Sequence, residues 1–510
     1  VDADVVVIGA GSAGCVLAAR LSEQPGLQVL LLEAGPDYAG ADDLPAELRD
    51  GSRPAFTHDW GYRSEPGALG RSIDLNRARV VGGCSATNAT FALRGHPDDY
   101  DGWAALGCTG WAFDEVLADF RRLEHDLDFP DRKWHGADGP LPVRRYRKDE
   151  RTAVQQAFLD AASALGFPWV DDHNAPGAMG AGPIPVNSVG GVRQSAALTY
   201  LAEARRRRNL TVMADAEVDR LVLDHGTARG ARLIDGRVVR APLVVLSAGT
   251  YGSPAILLRS GVGPAPDLAR LGIACVADRP GVGRNLIDHP LAPVVCATRS
   301  SPPAGSAGFQ VVLTTRTSRW AGPGHDLHVF PIWTAPDAGA APQFTLLAGL
   351  MKPRSRGSLR LRSADPADPP QIDVAALADP DDMARMIEAV RLARRLSRTS
   401  PLAEFAAAEL LPGPRVTDDE DALADAIRVS AATYYHPVGT CRMGRESDDQ
   451  AVVDSRCRVH GVEGLWVTDA SIMPDIPAAN TNLPTLMLAE HAAASIRSAA
   501  SSALARNMPS

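Results

Sequence analysis

At 510 residues, 45% hydrophobic and 22% charged, the chain has ordinary soluble globular composition but is long for one core, so two closely joined domains are expected. A formal net charge of −9 offers no electrostatic reason to expect nucleic acid or an anionic membrane as partner, and no apolar run reaches the length of a membrane span. The seven cysteines are scattered and odd in number, with no C-x-x-C pair, which argues against a disulfide framework or a zinc site and for a reducing compartment.

Val5 to Ile8 is a short apolar run of the kind shown by a strand buried on both faces. Its early start leads to the expectation of no signal peptide and of a cytoplasmic location. Gly9, Gly11 and Gly14 follow in the spacing G-x-G-x-x-G, then Ala13 to Leu21 at helical spacing, a second strand Gln28 to Leu32, and Glu33. Gly9 permits the tight turn, Gly11 lets a pyrophosphate approach the backbone, and Gly14 lets helix and strand pack closely. The amides at the helix start face the phosphates. Glu33, 19 residues past Gly14, is at the reach of a ribose hydroxyl. The pattern predicts an adenine dinucleotide without a 2′-phosphate and does not separate NAD from FAD.

Asp37 to Leu75 is rich in Gly, Pro and Asp and too long for a plain connection, so it is expected to lie over a ligand. Gly82-Gly83-Cys84-Ser85-Ala86-Thr87-Asn88 allows backbone to lie against a flat or charged ligand, or forms an ordinary surface turn. Trp111 to His125 and Thr152 to Leu165 read as helices, as does Ala197 to Arg208, whose basic run Arg205 to Arg208 reads as a solvated helix end. Strands are expected at Leu210 to Met213, Glu217 to Leu223 and Leu243 to Leu246. The last runs through Ser247-Ala248-Gly249-Thr250 into a helix Ala255 to Ser260, repeating the N-terminal pattern. Gly281 to Pro290 is rich in turn residues. Beyond it Val311 to Thr315, His328 to Trp333 and Phe344 to Leu350 read as strands continued by Gly357 to Leu361, and Asp381 to Leu396 as an amphipathic helix. Near the end come His436-Pro437, the strand and acidic turn Leu465 to Ser471 with Asp469 and Ala470, and a helix Thr485 to Ile496 with Asn482 as its cap and Pro484 in its first turn.

These segments, taken in order, resemble the glucose-methanol-choline oxidoreductase family over nearly the whole length. The resemblance rests on the N-terminal fingerprint, Gly82-Gly83-Cys84-Ser85 with Asn88, Ser247-Ala248-Gly249-Thr250, and Gly283-Arg284-Asn285-Leu286 with Asp288-His289. It is completed by His436-Pro437 with Gly439-Thr440 and by Asp469-Ala470-Ser471 with Asn480. It implies an α/β fold: a Rossmann-like FAD-binding domain assembled from residues 1–155, 196–290 and 431–510, with a substrate domain of antiparallel sheet and helices at 291–430 and an insertion or linker at 156–195. By similarity Gly11, Ser12 and Glu33 hold the ADP half of FAD, Val218 lies at the adenine, and Gly83 and Asn88 pass beside the flavin. Asp469 and Ala470 reach the ribityl chain. Ala248, Gly249 and Asn482 complete the cofactor set, with the last helix aimed at the flavin's pyrimidine ring. Relatives with covalent flavin carry a histidine where Thr87 stands, so non-covalent FAD is expected.

The resemblance also implies alcohol oxidation, which needs a base near the hydroxyl and a hydride acceptor near the carbon. His436 matches the family's catalytic histidine, and Asn480, 44 residues on, its partner that donates to the substrate oxygen. The expected activity is oxidation of a primary alcohol, aromatic or allylic ones included, to the aldehyde, with oxygen or another acceptor taking the electrons. A hydroxynitrile lyase or a fatty-acid photodecarboxylase on the same fold is the alternative, and a non-catalytic flavin-binding protein a weaker one. His58, His96 and His289 read as hydrogen-bonded loop residues and Cys84 as a small packing residue. Tyr434 and Tyr435 are equally pocket wall or core, and pocket residues are expected between His328 and Leu350. No metal ligand set is recognised.

Overall fold

The computed structural model describes residues 2–303, 305–334 and 341–507. Residues 335–340, within the stretch expected to carry pocket residues, lie outside that set. Among the described residues no helix is long and apolar enough to cross a membrane.

Val5–Ile8 is the middle strand of a five-stranded parallel sheet, in the order Leu465–Val467, Leu243–Leu246, Val5–Ile8, Val29–Leu32, Leu210–Met213. Its four side chains are 0–3% exposed, as an unbroken apolar strand covered on both faces requires. Val5 pairs with Leu243 on one side and Val29 on the other, so three strands distant in sequence end at one level. Helix Ser12–Leu21 lies beside the C-terminal helix Asn482–Asn507, and Arg20 Nη2 meets Glu490 Oε1 at 2.8 Å. Tyr200 Oη donates to the same oxygen at 2.7 Å. The two ends of the chain thus close one layer.

The second layer is a seven-stranded antiparallel sheet. Its main path runs Ala408–Leu411, Pro290–Ala297, Gln343–Leu350, Leu327–Ile332, Val311–Thr315, Gly180–Pro183, with Ala432–Thr433 also on Pro290–Ala297. Helix Pro380–Ser397 packs on this sheet through Met386, Ile387, Val390 and Ala393. Its N-cap is Asp379, whose side chain accepts from Asp381 N at 2.8 Å. The fold class is therefore α/β with an α+β second part.

Several elements differ from expectation. Pro290–Ala297 is a core strand although Pro290 reads as the end of a turn segment. Gly180–Pro183 is an edge strand, where a proline is tolerated, and a Cβ at Gly182 would lie 1.7 Å from the Val170 carbonyl oxygen. Ser358–Arg360 does not extend the large sheet but pairs with Gln371–Asp373. The second phosphate-type helix spans Gly249–Arg259 and carries Pro254 inside it, so it starts well before Ala255. The helix expected at Ala197 to Arg208 forms as a π-helical segment Ala197–Leu201 running directly into α-helix Ala202–Ala204, and ends before the basic run. That run is not wholly solvated: Arg205 pairs with Asp37 at 2.6 Å and Arg207 bonds Ser22 Oγ at 2.9 Å.

Trp111 to His125 folds as helix Phe113–Leu123 followed by strand Glu124–Asp126, which delivers two carboxylates to a buried ion network. His135 Nδ1 lies 2.8 Å from Glu124 and Nε2 3.0 Å from Asp172, while Arg145 binds Asp172 at 2.9 Å and Arg94 binds Glu124. Burial alone would discharge His135, but the carboxylates of Asp172 and Glu124 outweigh it and hold its pKa above the usual imidazole value. Three carboxylates, Glu124, Asp126 and Asp172, thus face the guanidinium groups of Arg94, Arg132 and Arg145 and the ring of His135.

Candidate active site

A cavity of about 650 Å³ lies between the two layers, within the range of small-molecule sites. Its parallel-sheet end is built where strands stop and helices begin: Ser12, Gly249 and Asn482, each the first residue of a helix, all line it. Such ends present unpaired amides and the positive pole of the helix dipole. At the first of them Gly11 offers no side-chain cap and the first turn holds no acid.

The glycines have separable tasks. Gly9 turns at φ +96°, and a Cβ there would lie 2.5 Å from Ser247 O on the neighbouring strand connection. Gly83, at φ +51°, brings its turn so close that a Cβ would sit 2.5 Å from Gly11 Cα. Gly14 is the one expected cofactor residue that does not line the cavity: it packs against the turn, where a Cβ would be 1.8 Å from Gly9 O.

Glu33 closes this end, accepting from Ala10 N at 2.9 Å and Gly35 N at 3.0 Å. Burial pushes its pKa up to about 7, although those amides pull it down. Val218, Asn88, Ala248 and Ala470 lie along the same wall. Asp469 is engaged within the protein, accepting from Gly249 N at 2.9 Å, Ser253 Oγ at 2.5 Å and Ser471 N at 2.8 Å. Asn482 is not the helix cap expected of it: it is the first helical residue, and its Oδ1 accepts from Ser12 Oγ at 2.8 Å. Residues Pro54 to Thr57, Asp59, Trp60 and Tyr62 of the long loop cover the cavity.

At the other end His436 and Asn480 meet, with Asn480 Nδ2 3.1 Å from His436 Nε2. Asn480 Oδ1 has no hydrogen-bond partner among the described residues. His436 Nδ1 lies 3.0 Å from His289 Nδ1. The backbone beneath is gripped by Asp288, which accepts from His436 N at 2.8 Å and from the Thr433 hydroxyl, while Arg77 Nη2 donates to Tyr435 O at 2.7 Å. Burial, reinforced by His289 and Arg77, holds the His436 pKa well below the usual imidazole range, so its ring is neutral near pH 7. The wall around this pair is apolar: Phe91, Leu291, Phe309, Phe330, Leu347 and Tyr434. Tyr434 stacks on Phe330 with centroids 5.4 Å apart.

Tyr434 and Tyr435 both line the cavity. His58 and His96 are loop residues of the expected kind, His58 bonding Tyr38 Oη at 3.0 Å and His96 capping helix Pro97–Ala105. His289 is also a hydrogen-bonded residue outside regular structure, but its partner is His436 and it is fully buried. The Asp288-His289 pair in the Asn285 to Pro290 segment was the available signal. Arg77, Trp60 and Phe309 at the cavity carried no such signal.

Residues 3–291 match the N-terminal family model of the GMC oxidoreductases and residues 353–489 the C-terminal one. The chain is 39% identical to a 5-(hydroxymethyl)furfural oxidase of Methylovorus sp. (strain MP688), over 97% of this chain and 98% of that one. It is 36% identical to an oxygen-dependent choline dehydrogenase of Brucella melitensis, over 97% and 95%. A crystal structure of pyridoxine 4-oxidase from Mesorbium loti superposes with a TM-score of 0.89 at 34% identity, over 97% of this chain and 99% of that one. With both family models matched and relatives aligned end to end, the chain belongs to the GMC oxidoreductase family.

Proposed function

We propose that the protein oxidises a primary alcohol borne on a flat, uncharged aromatic or furanic group to the aldehyde, using FAD held without a covalent bond. The observation that carries this reading is the neutral His436 beside the Asn480 amide at the apolar end of a cavity whose other end is glycine turns and helix starts. The identity to 5-(hydroxymethyl)furfural oxidase supports a furanic alcohol as the first to try.

The residues fit an adenine dinucleotide. A helix start without cap or acid suits a pyrophosphate at Gly11 and Ser12, and Glu33, a carboxylate held at the cavity wall by the Ala10 and Gly35 amides, suits ribose hydroxyls. Gly9, Val218, Ala248, Gly249, Gly83, Asn88, Asp469, Ala470 and Asn482 are the further residues assigned to FAD, with Gly14 shaping the turn. Thr87 lines the cavity and has no ring nitrogen to bond a flavin, which supports non-covalent attachment. FAD, when bound, supplies the hydride acceptor.

His436 Nε2 and Asn480 Nδ2, 3.1 Å apart, let one alcohol oxygen sit within hydrogen-bond reach of both. His436 takes the hydroxyl proton at Nε2, and Asn480 donates to the oxygen as negative charge develops there. Phe91, Phe309 and Phe330 hold the ring and exclude water.

The test is to mix FAD-loaded protein without oxygen with 5-(hydroxymethyl)furfural, benzyl alcohol, an aliphatic alcohol and choline, following the flavin colour. Bleaching by the first two and not by choline is expected, and the rate of colour return in air separates oxygen from another acceptor. No bleaching by any alcohol would overturn the proposal.

A further inference from the structure

We infer that His289 is a positioning residue that fixes the tautomer of His436, accepting the Nδ1 proton and so leaving Nε2 bare beside Asn480. This rests on the reading of His436 as the base. The two Nδ1 atoms are 3.0 Å apart, with His289 0% and His436 8% exposed, so the contact is a hydrogen bond that water does not share. Between two neutral rings that bond holds one proton, and its direction sets which nitrogen of His436 faces the substrate.

If His289 donates, His436 carries its remaining proton on Nε2 and cannot take another there. If His436 donates, its Nε2 is a bare acceptor that receives the Asn480 amide at 3.1 Å, and His289 keeps its own proton on Nε2. The surroundings favour the second arrangement. Asn480 Nδ2, at 3.1 Å, can only donate and so requires a bare His436 Nε2, while His289 Nε2 meets no hydrogen-bond partner among the described residues.

The charges around His289 keep it neutral. Burial pushes its pKa down to about 3, with Lys352 adding to this and Asp475 opposing it. Lys352 is itself paired with Asp475 at 2.7 Å and Asp99 at 3.0 Å. His328 and Tyr434 are the other titratable groups facing His289 among the described residues, and burial pushes His328 well below and Tyr434 above their usual values. Asp288, adjacent in sequence, spends its carboxylate on the backbone N of His436 and the Thr433 hydroxyl. The ring is therefore oriented by a neutral imidazole, in the place where a Ser-His-Asp triad uses a carboxylate.

The experiment uses FAD-loaded protein with 15N-labelled histidine, the His436 signals being assigned by their loss in His436→Ala. Wild type is expected to show His436 protonated at Nδ1 and bare at Nε2. His289→Leu, which cannot accept, is expected to lose that tautomer, and His289→Asn, which keeps an acceptor, to restore it. In anaerobic reduction by 5-(hydroxymethyl)furfural, His289→Leu is expected to be slower by roughly a hundredfold, with substrate affinity unchanged and an altered pH profile, because wrong-tautomer losses in a triad are of that order or larger. His289→Asn is expected to recover most of the rate. His436 protonated at Nε2 in wild type, or an unchanged tautomer in His289→Leu, would overturn the inference. Failure of every alcohol to reduce wild type would instead strike the proposed function, and the tautomer measurement would still decide the role of His289.

Discussion

Replacing Asn480 by Asp changes one donor nitrogen to an acceptor oxygen without changing shape, and so reverses what the side chain offers to His436 and to a substrate oxygen. The amide nitrogen lies 3.1 Å from His436 Nε2, with both residues less than a tenth exposed. In Asn480→Ala the donor to the alkoxide-like oxygen is lost, which costs about 3 kcal/mol, or roughly a hundredfold in rate. In Asn480→Asp a carboxylate takes its place, and at this separation and an effective dielectric of about 20 it attracts an imidazolium by about 5 kcal/mol. That pulls the His436 pKa up from the low value that burial, His289 and Arg77 now impose. A base already protonated accepts nothing, so the rate is present above the new pKa and falls tenfold per unit below it. The assay is anaerobic stopped-flow bleaching of the flavin from pH 5 to 10. Wild type is expected to be flat above pH 6.5, Asn480→Ala uniformly slower, and Asn480→Asp slower still with a rising alkaline limb. An Asn480→Asp profile as flat as wild type, with a rate no lower than Asn480→Ala, would refute the reasoning.

His436→Ala is expected to slow flavin reduction by about a hundredfold or more while FAD stays bound, as the bound flavin spectrum would report. Glu33 titrates near 7 in the absence of ligand because burial raises it, and ribose hydroxyls favour its ionised form. FAD affinity of the apoprotein is therefore expected to strengthen as pH rises toward 7 and then level, and Glu33→Gln to flatten that dependence, both read by fluorescence titration. His135 has a raised folded-state pKa, so its contribution to stability is complete below about 6.5 and lost as pH climbs through the higher value. The gap in thermal midpoint between wild type and His135→Gln is expected to narrow on the alkaline side; a gap independent of pH would contradict this. Denaturation by heat or acid is expected to release all the yellow colour into solution, since Thr87 cannot hold it covalently, and colour retained on the precipitate would count against this.

The parallel layer was legible because its strands are local signals. Four unbroken apolar residues at Val5–Ile8 and again at Leu243–Leu246, each followed by a turn of small residues, need no distant partner to be recognised. The glycine spacing was equally local, and its geometric tasks at Gly9 and Gly14 follow from backbone approaches under 3 Å. What that triplet left open was which dinucleotide, and the family resemblance, not the spacing, supplied FAD. The misplaced elements share a cause: in Pro290–Ala297, Gly180–Pro183 and the helix through Pro254, proline or glycine reads as a break, and tertiary pairing overrides it.

The overlooked strand and the overlooked histidine are one omission. Ending the turn segment at Pro290 hides the register in which Pro290 pairs with Thr433 and Leu291 with Ala432. That pairing carries Tyr434 N to within 2.8 Å of His289 O, lets Asp288 clasp the Thr433 hydroxyl and the His436 amide, and turns the rings of His289 and His436 together. Asn480 arrives from elsewhere, in the turn before the C-terminal helix that folds back beside Ser12–Leu21. His436, Asn480 and His289 thus come from three stretches that meet only where an antiparallel strand pair faces the end of the parallel layer. A motif can mark His436 and Asn480, and the Asp288-His289 pair marks His289, but that the His289 ring packs on His436 is set by strand register and burial, and so becomes visible only in three dimensions.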